Sequence, residues 1–186
     1  IRNLATIGGN VATAAQCADT IPALVAYDAV AIILRGDGSE RREHVAALVH
    51  GIGKTSLSNH EILTGFILPR HLLGSPAGFG KVGSRKAVTI AKINGAGIFT
   101  IKDGMVASAR IAFGSIGTKA FLADEPCASL EGERIDSLVS EKTLDVFTNL
   151  VENRIGSRPS VSYKRIAVRS VVADIINQAF PGPGAA

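Results

Sequence analysis

Apolar and polar residues alternate over short stretches in the first part of the chain, and this pattern predicts a few short elements. Residues 29–34 and 61–68 are rich in apolar and β-branched residues. A Gly-Asp-Gly turn comes after the first segment and Pro69 after the second, so each segment predicts a strand. Residues 20–26 predict a short helix, whereas residues 41–50 match neither the helical nor the strand period. The pattern predicts a small α+β unit.

The second part of the chain contains longer apolar segments. Residues 78–82, 89–102 and 106–115 predict three strands, and a Lys-Asp-Gly sequence between the last two predicts a hairpin turn. Gly95 and Gly97 lie in the middle strand, where glycine indicates a bulge or the close approach of another backbone. These segments predict a three-stranded antiparallel sheet.

Two helices are predicted at the end of the chain. Residues 141–154 and 162–179 carry apolar residues at three- and four-residue spacing. Residues 119–122 and 127–130 predict a further helical piece that ends in a turn. The predicted fold class is therefore α+β, with the three-stranded sheet packed with helices on one face.

Composition and charge exclude several classes of function. The net charge is +4, but the basic residues are dispersed, tryptophan is absent and there are only two tyrosines. A basic surface with aromatic residues that stack on bases is therefore not predicted. No apolar run approaches the roughly 20 residues that a membrane span needs, and the first residues do not have the pattern of a signal peptide. We expect no nucleic-acid partner and no membrane partner.

Cysteine usage and one glycine-rich segment exclude further chemistry. Cys17 and Cys127 lie far apart without Cys or His neighbours at metal-ligand spacing, so no metal or iron–sulfur cluster is predicted on this chain. Two cysteines without a secretion signal are typical of free thiols in a reducing compartment, which predicts a cytoplasmic location. Residues 51–55 resemble the end of a phosphate-binding P-loop. The first glycine of that motif is missing, and a predicted strand follows instead of a helix, so we reject this interpretation.

The strongest local candidate for a binding site is the pair Gly8-Gly9, which follows a short apolar run. Glycine permits φ > 0 and lets backbone N–H groups come close to a phosphate. Polar side chains surround the pair: Thr6, Asn10, Thr13 and Asp19. Asp19 would cap a helix or accept hydrogen bonds from hydroxyl groups of a ligand. From the residues alone two interpretations remain open, a diphosphate-binding loop and a tight turn between two core elements.

The order of these residues resembles that of one known family. Residues 2–14 follow the pattern Arg-Asn-x-Ala-Thr-Ile-Gly-Gly-Asn-x-x-Thr-Ala, and residues 18–24 read Ala-Asp-Thr-Ile-Pro-Ala-Leu. Both blocks are similar to the second flavin-binding segment of the FAD-binding subunit, or middle domain, of the molybdenum hydroxylases. That family includes xanthine dehydrogenase and carbon monoxide dehydrogenase. The resemblance continues in the same order through residues 54–57, 61–63, 79–87, 90–94, 110–114 and 162–165.

The resemblance implies an FAD site. Its residues would be Thr6, Ile7, Gly8, Gly9, Asn10, Thr13, Asp19, Leu63 and Lys81. The residues from Thr6 to Thr13 in this set would surround the diphosphate. Asp19 would bind a hydroxyl of the flavin chain or a group near the ring. Leu63 would pack near the adenine or the ring system. Lys81 would contact the flavin or the wall of its pocket, the alternative being a strand-end lysine that points to water.

The resemblance also implies a domain organisation. Residues 1–72 would be the second part of an FAD-binding domain whose first part is absent, and residues 73–180 a C-terminal flavoprotein domain. Residues 181–186 would be a disordered tail. Because the chain begins inside a motif and without methionine, we interpret it as an internal piece of a longer polypeptide. Residues 85–92 match a segment beside the isoalloxazine ring, where Ala87-Val88-Thr89 replace an acidic pair often found in xanthine dehydrogenase.

The function implied by the resemblance is electron relay. Electrons would pass from iron–sulfur clusters to FAD and then to NAD or another acceptor, with molybdopterin and the 2Fe-2S clusters on partner subunits or domains. The chain would hold and orient the FAD without a catalytic acid or base of its own. The alternative is a non-catalytic assembly module that docks partner subunits and binds no FAD.

Overall fold

The computed structural model describes residues 4–85 and 89–182, and both halves of this part of the chain mix helices with antiparallel strands. The helices are α1 (Ile7–Thr13), α2 (Thr20–Ala26), α3 (Val45–Leu48), α4 (Asp124–Ala128), α5 (Glu141–Ile155) and α6 (Val161–Ala179). The first five strands are β1 (Val30–Arg35), β2 (Glu40–His44), β3 (Val49–Gly51), β4 (Lys54–Thr55) and β5 (Glu61–Ile67). The other four are β6 (Ala77–Gly83), β7 (Ala91–Lys102), β8 (Met105–Gly114) and β9 (Phe121–Leu122). The α+β class predicted from the sequence is confirmed.

The first sheet has the order β2-β1-β5, and all its pairs are antiparallel. The two predicted strands of this unit are confirmed as β1 and β5. Ala31 and Ile33 of β1 are fully buried, because alternate side chains of a strand point to the same face. The segment that matched neither period becomes β2, α3 and the start of β3. Its three short elements are each too short to show a period of their own.

The second sheet has the order β6-β7-β8-β9, also antiparallel. Its first three strands confirm the prediction, but the sequence reading missed the fourth. The prediction of a helix at residues 119–122 is wrong, because Phe121 lies in β9 opposite Phe113 of β8. Their ring centroids are 6.3 Å apart, so aromatic contact across the sheet stabilises this short strand.

Helices cover the second sheet on both faces, and the prediction of helices on one face is wrong. Ile93 and Phe99 of β7 belong to a core shared with α5 and α6. Ala96 and Ile98 of the same strand belong to a second core shared with α1, α2 and the first sheet. Because successive residues of a strand point to opposite faces, a strand buried on both sides appears as the long apolar run seen in the sequence.

One face of the second sheet carries glycines under α6. Gly78 lies opposite Gly97, and Gly80 lies opposite Gly95, in the register of β6 and β7. A Cβ atom at Gly78 would lie 2.0 Å from the carbonyl oxygen of Ile175 in α6. The predicted bulge at the β7 glycines is wrong, since the register shifts lie elsewhere. The alternative, a close approach of another backbone, occurs at Gly95, where a Cβ atom would lie 3.1 Å from the carbonyl oxygen of Ala112, and also on β6.

The two long helices agree closely with their predicted bounds, because each buries a stripe of apolar residues. The hydroxyl oxygen of Ser140 accepts a hydrogen bond from the N–H of Thr143 at 3.2 Å and so caps the start of α5. Val168, Val171 and Val172 of α6 are fully buried. Residues 183–186 of the predicted tail lie outside the described residues. Over the described parts of the chain, no helix is long and apolar enough to cross a membrane.

Candidate functional site

The glycine pair lies in the first turn of α1, so the prediction of an open loop is wrong. Thr6 is the N-cap, and its hydroxyl accepts a hydrogen bond from the N–H of Gly9 at 2.9 Å. The hydroxyl of Thr13 donates to the carbonyl of Gly9 at 2.7 Å and stays within the same helix. Neither Gly8 nor Gly9 has a positive φ. The sequence Thr-Ile-Gly-Gly, which contains two residues of low helix propensity, starts a helix here because tertiary packing supports it.

That packing is a close approach of α1 to β5. A Cβ atom at Gly8 would lie 3.2 Å from the carbonyl oxygen of Leu63 and 3.3 Å from its Cβ atom. Such distances are shorter than ordinary van der Waals contact, so a side chain at this position requires the helix or the strand to shift by a few tenths of an ångström. The glycine therefore serves the contact between two elements, and Leu63 is the residue on the other side of that contact.

A cavity of about 660 Å³ lies where α1 meets β5. Its lining consists of Thr6, Ile7, Gly8, Gly9, Ala12, Leu57 and the residues of β5 from Glu61 to Phe66. β5 forms an edge of the first sheet, and the exposed fractions of Ile7 and Ile62 are 55% and 62%. Ligand sites commonly have volumes of about 300 to 1,000 Å³ with mostly apolar walls and a few polar groups. The cavity has the size and the lining of such a site.

Asp19 and Lys81 form a second cluster. The ammonium of Lys81 lies 2.5 Å from Oδ2 of Asp19, and the amide nitrogen of Asn94 donates to Oδ1 at 2.7 Å. Asp19 is the N-cap residue of α2 by position, but its side chain makes no capping hydrogen bond. The sequence predicted Asp19 and Lys81 as separate contacts to one ligand. The structure brings them together as an ion pair with a buried amide beside it.

The predicted site residues therefore fall into two groups, apart from Asn10, which lies between them, and Thr13, whose hydroxyl bonds within α1. Five of them line the cavity at α1 and β5: Thr6, Ile7, Gly8, Gly9 and Leu63. The hydroxyl of Thr20, next to Asp19 in the chain, donates to Oδ1 of Asn10. This contact ties the last turn of α1 to the start of α2. Of the segment expected beside the isoalloxazine ring, residues 86–88 lie outside the described residues.

Glu61, which the sequence reading did not select, contributes charge at the cavity. Arg41 of β2 binds its carboxylate through two nitrogens, with Nε–Oε1 at 2.7 Å and Nη2–Oε2 at 2.9 Å. The side-chain hydrogen bonds from Arg41, joined by the backbone N–H of Ser58, lower the pKa of Glu61 to about 2. This carboxylate is therefore ionised and already bound by a guanidinium. The run of charged residues in β2, Glu40 to Glu43, is the signal that points to such a pair.

Two other expectations concern chemistry away from this site. The segment that resembled a P-loop is the hairpin of β3 and β4, in which Gly53 has a φ of +65°. The expectation that a strand rather than a helix follows this segment is confirmed, since the next element is β5. Among residues 4–85 and 89–182, no three side chains of His, Cys, Asp and Glu are grouped as metal ligands would be.

Comparison with known proteins gives matches along almost the whole chain. Residues 1–71 match the family model described as "FAD binding domain in molybdopterin dehydrogenase". Residues 79–179 match the family model described as "CO dehydrogenase flavoprotein C-terminal domain". The chain is 30% identical over 186 residues to the nicotinate dehydrogenase FAD-subunit of Eubacterium barkeri, covering 96% of this chain and 62% of that protein.

A second relative and a solved structure agree with these matches. The chain is 26% identical over 187 residues to the xanthine dehydrogenase FAD-binding subunit of Escherichia coli O157:H7, covering 99% of this chain and 63% of that protein. Its fold is similar to a chain of carbon monoxide dehydrogenase from Hydrogenophaga pseudoflava, with a TM-score of 0.80 and 22% identity. That likeness covers 96% of this chain and 62% of the other. The chain thus spans about three fifths of the length of these two FAD subunits and of that carbon monoxide dehydrogenase chain.

Proposed function

This chain belongs to the family of FAD-binding subunits of the molybdenum hydroxylases, and from that premise we propose that it binds FAD in an oxidoreductase of this family. The observation that carries the proposal is the cavity between α1 and β5. There Thr6 and Gly8 of the α1 region and Leu63 of β5, three residues that the resemblance selected, line the same cavity. The size of the cavity suits part of a dinucleotide.

The residues present fit this cofactor. The first N–H groups of a helix have no acceptor within the helix, and here they belong to residues that line the cavity. Thr6 binds the N–H of Gly9, while Ile7 and Gly8 start the helix without side chains that carry negative charge. The apolar lining from β5 offers contact area for a ring or ribose. The Asp19 carboxylate offers oxygen acceptors for hydroxyl groups of the flavin chain.

In this proposal the bound flavin supplies the redox chemistry, and the protein supplies binding, orientation and electrostatics. We propose that the subunit relays electrons from 2Fe-2S clusters to NAD or another acceptor. The clusters and molybdopterin would belong to partner subunits or domains. No described residue at the cavity is assigned as an acid or base, and the substrate would be bound by another part of the complex. A cytoplasmic location accords with these cofactors and partners.

The test is flavin retention by the polypeptide as its gene encodes it, with Gly8→Val as the variant. We expect the wild-type protein to show bound-flavin absorption and Gly8→Val to lose it, because the new side chain would press on the Leu63 backbone. Gly51→Val is the matched control, since a Cβ atom at Gly51 has no neighbour within 4 Å and the residue is not among those that line the cavity. Circular dichroism shows whether each variant is folded.

Each result has one meaning. Loss of flavin in folded Gly8→Val and retention in Gly51→Val support the site. Unchanged flavin in Gly8→Val contradicts the assignment of the glycine pair. A wild-type protein that takes up no FAD contradicts the proposed function and leaves the assembly module as the better account.

A further inference from the structure

A row of three residues crosses the second sheet on the face that packs against α2. In the register of the sheet, Lys81 of β6 lies opposite Asn94 of β7, and Asn94 lies opposite Gly114 of β8. Asp19 lies at the start of α2 and contacts the first two members of the row. The sequence reading selected Asp19 and Lys81 for binding but gave no role to the residue between their contacts.

Asn94 is a fully buried polar residue in a strand that is otherwise mostly apolar. Its amide nitrogen donates to the carbonyl oxygen of Ala18 at 3.1 Å and to Oδ1 of Asp19 at 2.7 Å. An amide group has two N–H donors, and both are used. One bond holds the backbone just before α2, and the other holds the carboxylate itself. Asn94 therefore restricts both the position and the rotation of Asp19.

The other end of the amide supports a role in orientation. Oδ1 of Asn94 is buried and has no hydrogen-bond partner. A Cβ atom at Gly114 would lie 2.3 Å from this oxygen, so the amide fits only because residue 114 is glycine. A buried polar atom without a partner costs stability, and an apolar side chain would avoid that cost. The benefit of the residue therefore lies in its two donated hydrogen bonds.

Asp19 keeps capacity for a ligand. An ionised carboxylate has about four acceptor positions. Asn94 and Lys81 use one on each oxygen, and 42% of the side chain is exposed. The remaining positions face away from the protein contacts, and their direction depends on how the two donors hold the group. A hydroxyl group of a ligand therefore meets a carboxylate whose orientation Asn94 has already set.

We propose that Asn94 is a positioning residue that orients Asp19 for a ligand hydroxyl, with Gly114 providing the space for it. The inference rests on the proposed function, because the hydroxyl is taken to belong to the flavin chain. The inference adds two residues to the site, Asn94 and Gly114. Both lie in the second sheet, next to the ion pair of Asp19 and Lys81. The energetic effect of Asn94 on binding passes entirely through Asp19.

A double-mutant cycle on the FAD dissociation constant tests this claim. The variants are Asn94→Ala, Asp19→Ala and the double variant, each made in the polypeptide as encoded. A hydrogen bond to a charged group supports an expected weakening of about tenfold for Asn94→Ala. In the double variant the loss should equal that of Asp19→Ala alone within about twofold, because the positioned group is already gone. If Asn94 only stabilises the fold, the fold-changes in the FAD dissociation constant of the two single variants should multiply in the double variant.

Two further variants keep the test decisive. Gly114→Ala displaces the amide without removing it and should also weaken FAD binding, which provides a result if Asn94→Ala does not fold. Thr148→Val is the matched stability control, because it removes a buried hydroxyl that donates to Leu144 and Arg165 in the other core. It should lower stability and leave FAD affinity unchanged.

The outcomes separate the inference from the proposed function. If the wild type binds FAD and Asn94→Ala binds equally well, or if the losses multiply in the double variant, the inference is overturned and the proposed function stands. If the wild type binds no FAD, the proposed function fails and the inference fails with it. If Asn94→Ala weakens FAD binding in the wild-type background but has no further effect in the Asp19→Ala background, both the inference and the proposed function are supported.

Discussion

The contact between α6 and the glycines of the second sheet predicts a large effect of a small substitution, Gly78→Ala. A Cβ atom at Gly78 would lie 2.0 Å from the carbonyl oxygen, 2.8 Å from the carbonyl carbon and 2.9 Å from the Cα of Ile175. All three are backbone atoms, so no side-chain rotation relieves the overlap. The helix or the strand must move, and α6 contributes a row of buried residues to the core.

The magnitude follows from two opposing effects. Replacing glycine by alanine restricts the unfolded chain and by itself stabilises the folded state by about 0.4–1 kcal/mol. Overpacking a core costs about 1–3 kcal/mol and is greatest where the backbone must shift. We therefore expect the free energy of unfolding of Gly78→Ala to fall by about 2 kcal/mol. For a chain of this size that corresponds to a melting temperature lower by roughly 4–8 °C.

Urea denaturation followed by circular dichroism measures this change, with Gly65→Ala as the control. Gly65 is also a strand glycine, but a Cβ atom there would lie 3.6 Å from Cδ1 of Ile32, which is ordinary contact. The control should be as stable as the wild type or slightly more stable. If Gly78→Ala unfolds at the same urea concentration as Gly65→Ala, the close packing of α6 on β6 is not the constraint described above.

Two further predictions concern titration and reactivity. The pKa of Glu61 is about 2 in the folded state against an ordinary 4.5, so its stabilising effect is present above pH 4.5 and is lost as the pH falls through about 2. Urea midpoints between these pH values should fall less steeply for Glu61→Gln than for the wild type, and parallel curves would contradict the role of its contact with Arg41. Burial raises the pKa of the Cys127 thiol to about 11, so iodoacetamide at about pH 8 should modify half-buried Cys17 and spare Cys127 in the folded protein. Equal labelling of both residues by mass spectrometry would show that the core around Cys127 opens.

Much of the secondary structure could be predicted from the sequence. The apolar stripe of α6 and the β-branched run of β1 are local patterns, and a local pattern reports the face that an element buries. The order of the motif residues indicated the family before any fold was known. The short strand at Phe121 was missed because two residues carry no period. Their strand forms through contact with Phe113, which lies in another element.

The candidate site could be predicted only in part. Thr6, Gly8 and Leu63 were selected from the resemblance, and the structure brings them to one cavity. Their roles in binding stay a prediction, as does the domain boundary after residue 72. Asn94 was not selected, although a lone polar residue in an apolar strand is a signal that a sequence contains. Its meaning depends on which residue lies above the strand, and that residue is far away in the chain.

The sequence by itself determined the longer helices and most of the longer strands, and it identified the family through the order of its motifs. Only the tertiary structure decided that the glycine pair starts a helix, that helices cover both faces of the second sheet, and that Asp19 pairs with Lys81. The physical reason is the range of the interactions. Hydrophobic periodicity and helix capping act between near neighbours in the chain. Close packing and ion pairing act between residues that only the complete fold brings into contact.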